Sequence, residues 1–388
     1  MYPLDSSHVW HVAKSGNNGN SGHAGQYPVN LANDAKLTIS AAVSAASAGD
    51  TIIIWPGTYV ETVNLDTADK GLVLIGTHRD LCIIAPAADH GIILESNSQV
   101  HNLSIIANAT NKQGIKGSSK SNIIINNCYT FGNYDGIFIE GTSSNIRITN
   151  TYSKSNYDGA NLNASTGIFI DNCIFETDGG VTTSAVSALV FTSPAYDNLG
   201  VIIRNTIMCA ARTAASTNAC YAFKSSKGYF VMENCNLIAV TKTSATGDAV
   251  ASLAGSAINN SYYTFKNCSF YSSSNGGTAS DIKTFKDSIV VLSNCMYDRT
   301  KVLLSGSAKA IDISDANGRV DVAKIEGTDA TNAIIAEVDK TKAAKVLLNK
   351  AVQDKLTGVI DYYDDDGQTV ILTHTPVDGE SEIERTPS

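Results

Sequence analysis

The chain is poor in charge: Asp, Glu, Lys and Arg make up only 17% of its 388 residues, where a typical soluble domain carries about 25%. What charge there is leans acidic, 37 Asp and Glu against 28 Lys and Arg, for a net charge of −9. A nucleic-acid binder needs a basic face, so that partner is excluded from the reading. No apolar run approaches the ~20 residues of a membrane-spanning helix. The opening Met1-Tyr2-Pro3-Leu4-Asp5-Ser6-Ser7-His8 has neither a basic nor an apolar signal-peptide region. The expectation is a protein made in a host cytoplasm without a signal peptide and with no membrane partner. Proline (7), tryptophan (2) and methionine (4) are scarce. His, Cys and acidic residues show neither HExxH nor CxxC spacing, so no metal and no cofactor is expected.

What is abundant is Ser, Thr, Asn and Gly around short β-branched runs, and these runs repeat. Asn122-Ile123-Ile124-Ile125-Asn126-Asn127-Cys128-Tyr129 returns as Asn145-Ile146-Arg147-Ile148-Thr149-Asn150-Thr151-Tyr152, then as Gly167-Ile168-Phe169-Ile170-Asp171-Asn172-Cys173. Looser copies end at Asn205, Asn234, Asn267 and Asn294, so the marker asparagines step by 23, 22, 33, 29, 33 and 27 residues. A short period with variable additions describes a coil with loops inserted at its corners. A single such strand cannot bury its apolar face, but stacking it on its neighbours makes a continuous core. The marker Asn is expected to turn inward at a bend, each amide donating to the next coil, with the following Cys or Thr packed beneath it. Cys128, Cys173, Cys235, Cys268 and Cys295 then belong to the repeat and read as buried free thiols rather than a disulfide framework. The fold class is all-β, a parallel β-helix solenoid.

Before the repeat, Leu37, Ile39, Ala42, Val43 and Ala46 lie near helical spacing and suit a short helix that caps the first coil. The stretch from Ile39 to Val43, followed by Gly49-Asp50-Thr51-Ile52-Ile53-Ile54-Trp55-Pro56-Gly57-Thr58-Tyr59-Val60-Glu61, resembles the first coil of the pectin lyase-like right-handed β-helix superfamily. The resemblance spans about residues 30–305. It implies the fold and leaves activity open, because that superfamily holds lyases, hydrolases, esterases, phage tail spikes and non-catalytic proteins. Three regions are expected: 1–50 as N-terminal segment and capping helix, 51–307 as β-helix, and 308–388 as a small α+β appendage for attachment or oligomerisation. In the last, 328–340 and 341–355 read as two helices, and 358–363 with 368–374 as a hairpin around Asp364-Asp365-Asp366-Gly367. Leu348 to Lys355 and this Tyr-Tyr-Asp-Asp-Asp-Gly hairpin resemble the ends of phage virion proteins, which implies a virion protein, homotrimeric, with other virion proteins as partners.

Candidate chemistry centres on Asn133-Tyr134-Asp135-Gly136 and Asn156-Tyr157-Asp158-Gly159, which stand 23 residues, one coil, apart. Asp158 should stack over Asp135, and two carboxylates about 5 Å apart suit a retaining glycosidase, one as nucleophile and one as acid. The same residues are also good turn chemistry. The first copy resembles the Asn-Thr-Asp-Gly motif of polygalacturonases, but that family's Asp-Asp doublet and Arg-x-Lys pair do not follow at the expected places and no Gly-His-Gly appears. Tyr129, Tyr134, Tyr152 and Tyr157 recur over two coils and are candidates for a sugar-binding face, with Arg147 as a candidate for substrate anions. The leading expectation is a tail-spike or fibre-like binder of bacterial surface polysaccharide, or a capsid decoration protein. The alternatives are a polysaccharide hydrolase or lyase using Asp135 and Asp158, and a non-catalytic surface solenoid.

Overall fold

A computed structural model describes residues 6–312, apart from short segments at 24–29, 67–69, 164–165, 181–183, 192–197, 214–216, 243–246, 255–260, 285–287 and 306–307. Beyond them it describes the backbone of 321–325, 351–353, 360–363, 370–378 and 383–387. The described strands of the body form three parallel sheets of 13, 10 and 9 strands. One coil shows how the sequence makes them. Ser121–Asn126 lies in the 13-stranded sheet, Tyr129–Gly132 in the nine-stranded sheet and Asp135–Glu140 in the ten-stranded sheet. The chain then returns to the first sheet at Ser144–Thr149, paired in parallel with Ser121–Asn126.

Alternation drives the stacking. Ile123, Ile146 and Ile168 are in register, as are Ile125, Ile148 and Ile170, and all six are buried in one continuous core. Each contributes on the order of 1.5–3 kcal/mol of burial. The upper coils replace isoleucine by aromatics: the Phe230 and Tyr263 rings stack at 5.2 Å, and the Tyr263 hydroxyl is bonded to Ser225 Oγ at 2.6 Å.

The marker asparagines adopt left-handed backbone, φ between 48° and 54° at Asn127, Asn150, Asn172, Asn205, Asn234, Asn267 and Asn294, a conformation Asn tolerates better than other side chains. Their amides form a ladder in which each donates to the preceding coil: Asn172 Nδ2 donates to Asn150 Oδ1 at 2.8 Å, Asn234 to Asn205 at 3.1 Å, and Asn267 to Asn234 at 3.1 Å, while Asn150 turns to Asn126 and Asn205 to Asp171. The ladder runs along the outside of the coil, however, not inside it, and Asn150, Asn172, Asn205 and Asn234 are exposed. The left-handed turn swings Asn out and hands the inward position to the next residue. Cys128, Thr151, Cys173, Thr206, Cys235 and Cys268 are buried there, and the cysteines are free.

The capping helix is Ile39–Ala45, with Thr38 as N-cap accepting from Ala41 N. Glu61 accepts from the backbone amides of both Ile39 and Ser40 at 2.9 Å, a favourable charge for a helix N-terminus. The helix buries Ile39, Ala42 and Val43. Beneath the first coil lies a strand the sequence pattern does not announce, Val9–Val12, paired in parallel with Thr51–Ile54.

Lys309–Asp312 and Asp321–Ile325 continue the 13-stranded sheet, and the first compact unit runs from Met1 to Lys324. The second, Ile325–Ser388, contains a four-stranded antiparallel sheet of Ala351–Gln353, Ile360–Tyr363, Val370–Asp378 and Ile383–Pro387. Ile360–Tyr363 and Val370–Asp378 pair antiparallel, with Tyr362 opposite Leu372. The expected helices over 328–340 and 341–350 lie outside the described residues. Ala351–Gln353, the described part of the second, is a strand, because it pairs with Ile360–Tyr362 and cross-strand pairing overrides its local helical spacing.

Candidate functional site

Asp135 and Asp158 open neighbouring strands of the ten-stranded sheet and are register partners. Gly136 fixes the corner: a Cβ there would come within 2.2 Å of Ser153 Oγ and 2.6 Å of the Gly159 carbonyl. Both carboxyl groups are buried, at 0% and 5% exposure. Asp158 is supplied with donors, accepting from Ser187 N at 2.8 Å and from Asn161 Nδ2 at 3.4 Å. Asp135 is not: the Gln113 side chain and the Asp158 amide approach it and favour its charge, yet neither of its oxygens meets a donor in hydrogen-bond geometry. Desolvation, and for Asp135 the neighbouring Asp158 charge, push both carboxyls well above the usual range, while the ammonium of Lys224 draws Asp158 part of the way back.

Tyr134 and Tyr157 cover this corner. Tyr157 N donates to the Tyr134 carbonyl at 3.1 Å, and the two rings stack at 4.3 Å with 10° between their planes. Burial, with the charge of neighbouring groups, raises the Tyr134 phenol. Tyr129 and Tyr152 open the two strands of the nine-stranded sheet that lead into this corner, in register and edge to face at 5.4 Å. The Tyr152 hydroxyl donates to Glu176, which also takes Lys154 Nζ at 2.9 Å. Burial alone would raise the Glu176 carboxyl, but these two hydrogen bonds outweigh it and hold it below its ordinary value. Arg147 is not brought to either group. It stands on the 13-stranded sheet, exposed, with its guanidinium 5.0 Å from the Phe169 ring centroid.

The sequence reading missed the open groove that follows the asparagine ladder. Its volume is about 710 Å³, and Arg79, Asn102, Asn127, Asn150, Tyr152 and Asn172 are among its walls. An adjoining pocket of about 330 Å³ shares Arg79, Asn102 and Asn127 and adds His78 and Asp80. Arg79 Nε is paired with Asp80 at 2.7 Å, which leaves the guanidinium's other donors to the groove. One signal for this groove stands in the sequence, Asn102 ahead of the marker Asn127, and the structure makes it an earlier copy of the ladder, with φ 54° and its Oδ1 accepting from Asn127 Nδ2 at 2.9 Å. The groove is lined with amides, one arginine and one aromatic ring held in place by Glu176. Such a wall suits a polar chain of hydroxyls and carboxylates.

No family model and no curated protein matches the chain. Among solved structures it is similar to ORF18 of Geobacillus virus E2, at 11% identity and a TM-score of 0.53 over 99% of this chain and 76% of that one. It is also similar to tailspike gp49 of Acinetobacter baumannii bacteriophage Fri1, a capsular polysaccharide depolymerase, at 12% identity and TM-score 0.42 over 88% and 73% of the two chains. A pectate lyase aligns at 15% identity and TM-score 0.41 over 85% of each chain. The chain is a parallel β-helix protein, as the resemblance of its first coil implied.

Proposed function

We propose that this chain is a phage virion protein, tail-spike or fibre-like, whose β-helix binds a bacterial surface polysaccharide along the asparagine groove. The observation that carries the reading is the groove itself, which presents Asn102, Asn127, Asn150 and Asn172 as outward amides beside Arg79 and Tyr152. The amides of Asn127, Asn150 and Asn172 are held by donating to Asn102, Asn126 and Asn150 respectively, so a glycan finds them already ordered and little side-chain entropy is lost on binding. Tyr152 offers an apolar ring face with its hydroxyl fixed, the combination that suits a sugar ring. Arg79 suits a uronate or other acidic sugar. A viral protein of the same fold spans 99% of the chain, and a virion assembled in the host cytoplasm is the setting in which this reading places it. The C-terminal unit is then the segment for homotrimer formation and contact with other virion proteins.

Cleavage asks more than the site offers. A retaining glycosidase must bring two carboxyls to one glycosidic bond, and Asp135 and Asp158 are both buried. The test is binding of the full chain to a panel of acidic and neutral bacterial polysaccharides, with Tyr152→Ala and Arg79→Ala alongside and reducing ends assayed. Binding without cleavage, lost in both variants, is the expected result. Undiminished binding by both variants would remove the groove, and reducing ends released by wild type but not by Asp135→Asn would restore the hydrolase.

A further inference from the structure

At the corner between the nine- and ten-stranded sheets, register stacks Asp135, Asp158 and Ser187 on successive coils, with Gln113 one coil earlier. All four side chains are buried. Two of them are carboxyls, one strand spacing or ~4.8 Å apart. Like charges so close, and out of water, do not both persist. The surroundings divide the roles. Asp158 accepts from Ser187 N at 2.8 Å and from Asn161 Nδ2 at 3.4 Å, and the Lys224 ammonium acts on it. Those groups hold a carboxylate. Around Asp135 the charges have the wrong sign, since Asp158 and Glu140 both oppose its ionisation. The Gln113 side chain and the Asp158 amide favour its charge, yet neither Asp135 oxygen meets a donor in hydrogen-bond geometry.

We propose that Asp135 and Asp158 form a proton-dependent latch: a proton held on Asp135 at neutral pH keeps the two coils closed at this corner, and its loss to solvent base in alkaline solution opens them. The contacts at risk are those that close the corner. Gly114 N donates to the Asp135 carbonyl at 3.0 Å, Tyr157 N donates to the Tyr134 carbonyl at 3.1 Å, and the two tyrosine rings stack above. There is no slack to absorb repulsion by sliding. A Cβ at Gly136 would stand 2.6 Å from the Gly159 carbonyl, and one at Gly159 would stand 2.5 Å from the Ala188 carbonyl.

The neighbouring charges do not relieve the pair. Lys224, whose Nζ stands 5.1 Å from the Tyr221 ring centroid, acts on Asp158. No cation is among the groups that act most strongly on Asp135. In the coil before, Lys112 is paired with Asp89 at 2.9 Å, and burial holds His90 toward its neutral form, where its Nδ1 accepts from Gln113 N at 3.2 Å. The Tyr134 phenol, raised by burial, stays neutral well into alkaline solution. A carboxyl raised in the folded chain binds more protons folded than unfolded. Its stabilisation is complete below the unfolded value of about 3.9 and is lost as the pH rises through the folded one.

The experiment is chemical denaturation of the full chain from about pH 5 to about pH 9, wild type beside Asp135→Asn. An infrared difference spectrum of the two proteins and amide exchange at the corner complete it. One proton retained on folding raises the unfolding constant by about tenfold per pH unit, and wild type should show one such proton more than Asp135→Asn. The difference spectrum at neutral pH should contain the carbonyl stretch of an un-ionised carboxyl, present in wild type alone. In alkaline solution the Gly114 and Tyr157 amides of wild type should exchange faster than base catalysis alone accounts for. If Asp135→Asn does not fold, the un-ionised carboxyl band followed with pH in wild type decides the matter, and it should vanish together with the protection of those amides. Parallel pH dependences in the two proteins, or no un-ionised carboxyl at neutral pH, overturn the latch. A band that vanishes while Gly114 and Tyr157 keep their protection overturns it too, since the pair would then titrate without opening the corner.

Discussion

Asp158 stands directly opposite Asp135 in parallel register, and of the two only Asp158 is supplied with hydrogen-bond donors. The pair is therefore unequal, and its two members should respond to substitution with opposite sign. Asp135→Asn removes a buried carboxyl whose charge is opposed by desolvation and by the neighbouring Asp158. It should raise stability by about 1 kcal/mol, a few degrees in melting temperature. Asp158→Ala strands the Ser187 amide and should cost about 2 kcal/mol. Thermal unfolding of the two variants side by side checks this, and equal destabilisation by both would show that the asymmetry has no energetic weight.

The ladder makes a second prediction. Asn234 both donates to Asn205 and accepts from Asn267, and its φ is 54°. Asn234→Ala loses the two hydrogen bonds and also the short polar side chain that makes left-handed backbone tolerable, for about 2 kcal/mol in all. Asn234→Gly loses the bonds but not the conformation, and should recover about half of that cost. Chemical denaturation of the two variants separates the terms. Identical losses would mean that the left-handed turn carries no strain there.

The repeat was legible because a parallel β-helix writes its register directly into the spacing of its residues. Asn127, Asn150 and Asn172 recur at the coil length, and Ile123, Ile146 and Ile168 follow them into one column. The stacking of Asp158 on Asp135 came from the same arithmetic. What spacing does not give is the face. A coil has three sheets, and the few residues that turn each corner decide which one a side chain joins. Arg147, only 11 residues before Asp158, thus belongs to a different sheet from both aspartates. The direction of the ladder was misjudged for a related reason, since the left-handed φ that turns Asn outward is a backbone property that the side-chain pattern only hints at. Arg79 was missed because it enters the groove from a coil that precedes the clearest repeat.

Glu176 tests whether the groove depends on an ordered tyrosine. Its carboxylate receives both the Tyr152 hydroxyl and Lys154 Nζ, yet it is absent from the groove lining itself. Glu176→Gln should leave the fold intact, within about 0.5 kcal/mol, as expected for a partly exposed ion pair. Affinity for the recognised polysaccharide should fall several-fold, about 1 kcal/mol, as Tyr152 regains its freedom. Binding measured at two salt concentrations distinguishes this from lost long-range attraction. A loss that disappears at high salt would assign Glu176 a purely electrostatic role.

The N-terminal cap is held by a buried carboxylate, which makes it acid-sensitive. The Asp50 side chain, 1% exposed, holds His8 Nδ1 at 2.7 Å and Trp10 Nε1 at 2.8 Å, and it accepts from Ser47 N at 2.7 Å. Burial alone would raise its pKa, but the hydrogen bonds from Trp10, His8 and Ser47 outweigh that and lower it below the ordinary aspartate value. A carboxyl whose folded pKa is depressed binds fewer protons folded than unfolded between the two values. Its stabilisation is therefore complete above the unfolded value of about 3.9 and drains away as the pH falls through the folded one. Asp50→Asn should cost about 2 kcal/mol at neutral pH, because the charge-assisted bonds to Trp10 and Ser47 weaken. The variant should also lose less stability than wild type between pH 4 and more acidic solution. Trp10 lies beside the carboxyl and its fluorescence reports the transition directly; parallel acid-unfolding curves for the two proteins would show that Asp50 does not set the acid limit of the cap.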